Sequence, residues 1–279
     1  YNVPYFEAAG IEVPQTMEEA WTWPEFVENV NLVRAAQAEA GNEVWGMVGL
    51  NNPMTGAYFT WTIIRSASAP GEPLWESISP DWTTVDGYIN TPEAMEAYAF
   101  YQSMYTEGFM PTAEVPDAFG TGQAATYFAI PPTGSEISNA FPDLEWATMP
   151  IPYLKTPLVH TGSFAPTVSA KSDNPDAAKL LAAYIASGEG YLISHAITQQ
   201  LPGRISVRAE LPELQEGYLA QVFDEVLAYG VARPGGPAHS IFDSLIAQEM
   251  MVNIALGGNI EEEVAAAIQK TDAQLMQFR

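Results

Sequence analysis

Cysteine is absent from the 279 residues, which excludes disulfides, thiolate metal sites and cysteine nucleophiles together. Histidine is almost as scarce: His160, His195 and His239 are too scattered to read as a metal cluster. Basic residues are few, 10 Lys and Arg against 34 Asp and Glu, for a net charge of −24. A surface this acidic repels phosphate backbones and anionic headgroups, so nucleic acid is not an expected partner. No apolar run approaches the roughly 18 residues of a spanning helix, and no membrane-spanning segment is expected. Familiar catalytic motifs are missing too. There is no phosphate loop, dinucleotide fingerprint or H-E-x-x-H. Gly162-Ser163 lacks the second glycine of a nucleophile elbow. His160 has nothing near it in sequence to activate it as a base. Glu261-Glu262-Glu263 sits where a first helical turn favours acids, which explains the run without catalysis. No cofactor is expected, and enzymatic activity has no support in the motifs.

What the chain has is a globular share of apolar residues, 47%, and a length that suits about two domains. Helix punctuation is frequent. Thr22-Trp23-Pro24-Glu25 reads as a capping box with Pro in the first turn, opening a helix that stops near Gly41. Thr91-Pro92-Glu93, Asn174-Pro175-Asp176 and Asn259 open others, and Gly108, Gly188 and Gly230 end helices. Residues 240–256 read as one helix. Strands are expected over 43–50, 146–151 and 164–170, with a further one following Gly122 and broken by a tight turn at Pro131-Pro132-Thr133-Gly134. Helices alternating with short isolated strands place the chain in the α/β class. Pro/Gly connectors suggest a chain that leaves one lobe, visits another and returns. Aromatic residues are plentiful, with 7 Trp, 13 Tyr and 12 Phe. Tyr58, Trp61, Trp75, Trp82 and Tyr88 sit in loops or at element ends, where a ring could stack on a sugar face or simply pack in a core.

The punctuation falls in a recognisable order. Tyr1 to Ile11, the Thr22–Phe26 helix start, Asn90-Thr91-Pro92-Glu93-Ala94 with Glu107-Gly108-Phe109-Met110-Pro111, and Phe119-Gly120-Thr121-Gly122-Gln123-Ala124-Ala125 all match one pattern. So do Asp143-Leu144-Glu145-Trp146 with Met149-Pro150-Ile151-Pro152, Ser172 to Ala178, and Leu201-Pro202-Gly203-Arg204. The chain resembles the extracellular solute-binding proteins of sugar ABC transporters. The resemblance implies a periplasmic-binding-protein-like α/β fold of two lobes, with residues 1–151 plus 238–279 as lobe two, 163–226 as the returning part of lobe one, and connectors at 152–162 and 227–237. It further implies that Tyr1 lies just inside lobe two, with the N-terminal half of lobe one lacking. The implied function is capture of a carbohydrate between the lobes and delivery to the permease subunits of an ABC importer. The implied location is the periplasm or the extracellular face, including a cell-surface lipoprotein.

For the ligand, the resemblance points first to Tyr58 and Trp61 of the Tyr58-Phe59-Thr60-Trp61 string, then to Thr133 and Ser135, Gly162 and Ser163, and His239 and Phe242. Arg65 is expected either to bond the ligand or to pair with a surface acid. Two other readings stand beside it: a glycan hydrolase, which needs two carboxylates about 5–9.5 Å apart, and a binding protein for a polyamine or peptide.

Overall fold

The computed structural model describes residues 1–49, 56–162 and 165–278, with only the backbone of 56–58 and 278. Two compact units form. The first comprises Tyr1–Phe128, Asp143–Thr161 and Tyr229–Arg279, and the second Ala129–Pro142 and Gly162–Ala228.

In the first unit, α1 (Val3–Ala9) is capped by Asn2 and ended by Gly10 in a left-handed conformation. Helix α2 (Trp23–Glu39) begins at Thr22, whose hydroxyl accepts from the Glu25 backbone N–H while the Glu25 carboxylate accepts from the Thr22 N–H at 2.8 Å. Both orphan donors of the helix start are thereby satisfied. Strand β1 (Trp45–Val48) pairs in parallel with β2 (Ala124–Tyr127), with Trp45 opposite Ala124 and Met47 opposite Thr126. Gly46 is required there: a Cβ would meet the Phe109 ring at 2.2 Å. Helices α3 (Gly56–Arg65), α4 (Pro73–Glu76) and α5 (Pro92–Thr106) follow β1, and Thr91 caps α5.

The second unit carries α6 (Pro131–Ala140), α7 (Pro175–Ile185), α8 (Gly188–Thr198), two short 3₁₀ turns and α9 (Tyr218–Tyr229), whose last residue belongs to the first unit. Back in the first unit, β3 (Val159–Thr161) pairs in parallel with β4 (Gly230–Ala232). The chain closes with α10 (His239–Phe242), a π-helical stretch Asp243–Met250, α11 (Met251–Ala255) and α12 (Ile260–Leu275), capped by Asn259.

One large aromatic and aliphatic core fills the first unit, reaching from Phe6 and Trp23 through Trp61, Tyr98 and Tyr101 to Phe242, Ile254 and Leu275. The second unit has a small core of Val207, Leu211, Leu214, Leu219 and Phe223.

Several expectations need correction. Pro131 and Pro132 do not make a turn; they occupy the first turn of α6, where a missing N–H costs nothing. Residues 129–142 belong to the second unit, not to the stretch 1–151: within that unit the Ser135 hydroxyl lies 3.2 Å from the Tyr218 hydroxyl, which donates to the Pro131 carbonyl. Residues 229–232 stay with the first unit because β4 is bonded to β3. The expected strand over 146–151 is reduced to a single bridge between Asn2 and Trp146, and 165–169 carry no regular structure. Residues 240–256 are not one uniform α-helix, since the π-helical stretch interrupts them.

Candidate ligand-binding residues

The aromatic string beginning at Tyr58 lies on α3. At helical spacing, its residues cannot all face one way. Trp61 points inward and is fully buried: its indole N–H donates to the Ser77 hydroxyl at 2.8 Å, and its ring meets Phe242 edge-on at 5.1 Å. Phe242 of α10 is fully buried as well. The structure brings these two expected ligand residues together, but as core partners. Neither offers a ring face to a solute, and both are corrected to a packing role. The side chain of Tyr58, the residue named first, lies outside the described residues, as does Ser163.

Arg65 ends α3 and is 6% exposed. Its Nε donates to the Trp75 carbonyl at 2.5 Å, and one terminal nitrogen donates to the Ala232 carbonyl at 2.7 Å and faces His160 Nε2 at 3.2 Å. The guanidinium also lies over the Trp75 ring at 5.1 Å. Since Arg65 has only donors, Nε2 of His160 must accept, which puts the ring proton of neutral His160 on Nδ1. Burial lowers the Arg65 pKa to about 10, opposed by the charge of Glu76. Arg65 forms no ion pair with an acid among the described residues. The expected pairing with a surface acid is therefore corrected. Its bonds to the Ala232 carbonyl and His160 hold α3 to the strand pair β3–β4, which sequence alone could not show because Ala232 is 167 positions away.

His239 opens α10, half-buried, with Nδ1 donating to the Pro234 carbonyl at 2.9 Å. The turn before it is tight. Gly235 has φ +107°, and a Cβ there would lie 2.7 Å from the His239 Cα. In the same unit, Trp82 stands with its indole against Gly236, is 38% exposed, and holds φ at +57°, an uncommon conformation for a bulky residue. A turn built on Asp81, which accepts from the Ser79 and Thr83 hydroxyls at 2.7 and 2.8 Å, supports it. Trp75 is buried and Tyr88 half-buried. Of the described loop aromatics, Trp82 is thus the exposed one, and its spacing in sequence gave no sign of this.

In the second unit, Thr133 and Ser135 share the start of α6 and are half-buried, with the Thr133 N–H donating to the Ile130 carbonyl. Tyr218, which nothing in the sequence marked, is tied to Ser135 and so belongs to the same group. Gly162 is exposed just after β3. No group of three or more His, Cys, Asp or Glu that could hold a metal is found among the described residues. No helix among them is long and apolar enough to cross a membrane.

The fold has many solved counterparts. One is an ABC transporter solute-binding protein from Thermotoga lettingae bound to α-D-tagatose, with a TM-score of 0.74 and 19% identity over 99% of this chain and 69% of that one. Another is the sugar-binding protein MalE from Xanthomonas citri, with a TM-score of 0.73 and 19% identity over 99% of this chain and 68% of that one. A third, a cyclic α-maltosyl-1,6-maltose binding protein from Arthrobacter globiformis, has a TM-score of 0.65 and 17% identity over 99% and 68%. These likenesses define a solute-binding-protein fold of the α/β class. A search of curated protein sequences found no match. The sequence profile of the bacterial extracellular solute-binding proteins matches residues 1–191, and the chain belongs to that family.

Proposed function

We propose that this chain receives a carbohydrate, a sugar or oligosaccharide, outside the cytoplasmic membrane and hands it to the permease subunits of an ABC importer. It works in the periplasm or at the cell surface, as a free or lipid-anchored protein. The observation that carries this reading is membership of the solute-binding family over residues 1–191, in company with structural counterparts described as sugar-binding or bound to sugar. The protein binds and does not turn over its solute. Tyr58 supplies a stacking ring, Thr133 and Ser135 supply hydroxyls, Gly162, Ser163 and His239 supply polar contacts, and Trp82 supplies a second aromatic surface. Pyranose C–H faces pack on rings while neighbouring polar groups fix the hydroxyls, which is why this mixture suits a carbohydrate.

The test is calorimetric titration with a panel of mono- and oligosaccharides, spermidine and short peptides, using the whole protein. Saturable binding of one carbohydrate, weakened more by Tyr58→Ala than by Tyr58→Phe, is the expected result. Binding of spermidine or a peptide alone, or release of a hydrolysed sugar, would overturn it.

A further inference from the structure

Of the three histidines only His195, in the last turn of α8, is buried. Its neighbours decide its protonation. Nδ1 lies 2.7 Å from the Gln200 carbonyl, and Nε2 lies 3.1 Å from a Glu213 carboxylate oxygen. A carbonyl only accepts, so Nδ1 must carry a proton. An ionised carboxylate also only accepts, so Nε2 must carry another. A neutral imidazole has one N–H and cannot serve both. Both bonds exist only when the pair holds one proton more than a neutral ring and an ionised carboxylate do together. That proton sits between Nε2 and the Glu213 oxygen, whichever of the two it is bonded to.

No other charged side chain among the described residues bonds the ring. On α7, Lys179 pairs with Asp176, and Tyr184 bonds Glu189 of α8. On the 3₁₀ turn Ile205–Glu210, Arg208 pairs with Asp224, and Glu210 is exposed. Arg204, just before that turn, donates to the Ala186 carbonyl. Losing the shared proton leaves two acceptors facing each other. Glu213, with 42% of its side chain exposed, can turn to water, whereas the His195 side chain, fully enclosed, cannot. The buried Nε2 is then left without a partner, which is costly.

The pair stands at a joint of the second unit. Glu213 belongs to the 3₁₀ turn Pro212–Leu214, and the fully buried Leu214 is at the middle of the small core. His195 therefore ties α8 to the segment that carries this core.

We propose that His195 and Glu213 form a proton-binding site that tightens the second unit in acid and releases it as pH rises. The folded arrangement needs a proton that the unfolded chain does not, so the stability it supplies is present at low pH and lost on going up. Histidine is the side chain that changes charge between about pH 5 and 8, which sets the range of the response. The site rests on these distances and not on the carbohydrate reading.

The test follows the ring nitrogens of His195 by NMR in the whole protein, beside hydrogen exchange expressed as protection over each amide's intrinsic rate. Both ring nitrogens should be protonated at about pH 5.5, and only Nδ1 at about pH 8.5. Across that span the protected amides between 195 and 223 should lose about tenfold in protection, the effect of one charge-assisted hydrogen bond, while the first unit keeps its own. In Glu213→Gln the side-chain amide can donate to Nε2 of a neutral ring, so the tie no longer needs the added proton and protection should stay level with pH. Glu189→Gln, an acid of the same helix that does not meet the ring, should keep the wild-type response. A ring with a single N–H at about pH 5.5 would overturn the proposal. So would level protection in the unaltered protein, or an equal fall in Glu213→Gln. The ring signals of the unaltered protein decide the matter even if a variant fails to fold.

Discussion

The two units solve the same problem of burial with unequal means. The first draws its buried core from the first and last of its chain stretches, with Met149 and Leu154 of the middle one packed against it, and layers rings against rings: Trp23 on Phe26, Phe26 on Phe109, Phe59 on Phe128, Trp61 on Phe242. The second relies on five residues within a single run of seventeen, Val207 to Phe223, and on polar ties. His195 is buried with Nδ1 facing the Gln200 carbonyl at 2.7 Å and Nε2 facing Glu213 at 3.1 Å, and the Arg208 guanidinium bonds Asp224 and lies over the Phe223 ring. A contiguous small core is inexpensive in loop closure but leaves apolar helices such as α7 uncovered. A distributed core costs more chain ordering and leaves its helices covered.

The difference can be broken most directly at its anchors. Phe242→Ala and Phe223→Ala each remove a buried ring worth about 3–5 kcal/mol. Hydrogen exchange should show Phe223→Ala stripping amide protection from 205–223 while the first unit keeps its own, and Phe242→Ala weakening protection across the first unit. Equal, global loss in both variants would mean that the units unfold as one. Next comes Arg65. Arg65→Met removes the donors to the Trp75 and Ala232 carbonyls, a loss of about 1–3 kcal/mol in thermal or denaturant unfolding. Arg65→Lys should recover only part of it, because a single ammonium cannot span both carbonyls as the planar fork does. Full recovery with Lys would reduce the role to simple charge.

The smallest effect is expected in alkali. Burial raises the Tyr98 and Tyr101 hydroxyls well above their ordinary range and Tyr105 to about 12. Tyr98 donates to the Ile89 carbonyl, and Tyr101 and Tyr105 meet at 3.2 Å. Their folded pKa values exceed the unfolded value of about 10, so the stability they contribute is fully present below pH 10 and declines as pH rises towards 12. Phenolate absorbance should show these three titrating only together with unfolding of the first unit. Free titration ahead of unfolding would place them nearer solvent than the structure does.

Local chemistry was legible in the sequence. The Thr22 capping box, the Thr91 and Asn259 caps and the Asn174-Pro175 start all open helices where expected, because a cap is decided within four residues. Strands were less legible. Those that form are three or four residues long and parallel, and their partners lie about seventy to eighty positions away, so no local pattern announces them. The double proline at 131 was read by its commonest use and not by its use at a helix start. Among the candidate ligand residues, Trp61 and Phe242 failed for one reason: an aromatic is attractive to a sugar and to a core on the same grounds, and only burial separates the two. The ties of Arg65 to Ala232 and of Ser135 to Tyr218 join distant stretches and leave no trace in spacing.

The interleaving of the first unit has a consequence for the order of events during synthesis. The Thr60 hydroxyl bonds the Ala247 carbonyl across 187 positions, Asp272 accepts from the Thr84 hydroxyl and the Val85 N–H, and the Gln102 amide donates to the carbonyls of Ile254 and Gly258. Each of these closures waits for residues made after the whole of the second unit. A nascent chain that has reached Ala228 holds most of the first unit's aromatic residues but lacks α10, α11 and α12 to seal them. Contacts of such long sequence separation form slowly. The first unit therefore stays unsealed while residues 229–279 are being made, an interval of several seconds at roughly 5–20 residues per second. During that interval its unsealed aromatic residues stay accessible to chaperones.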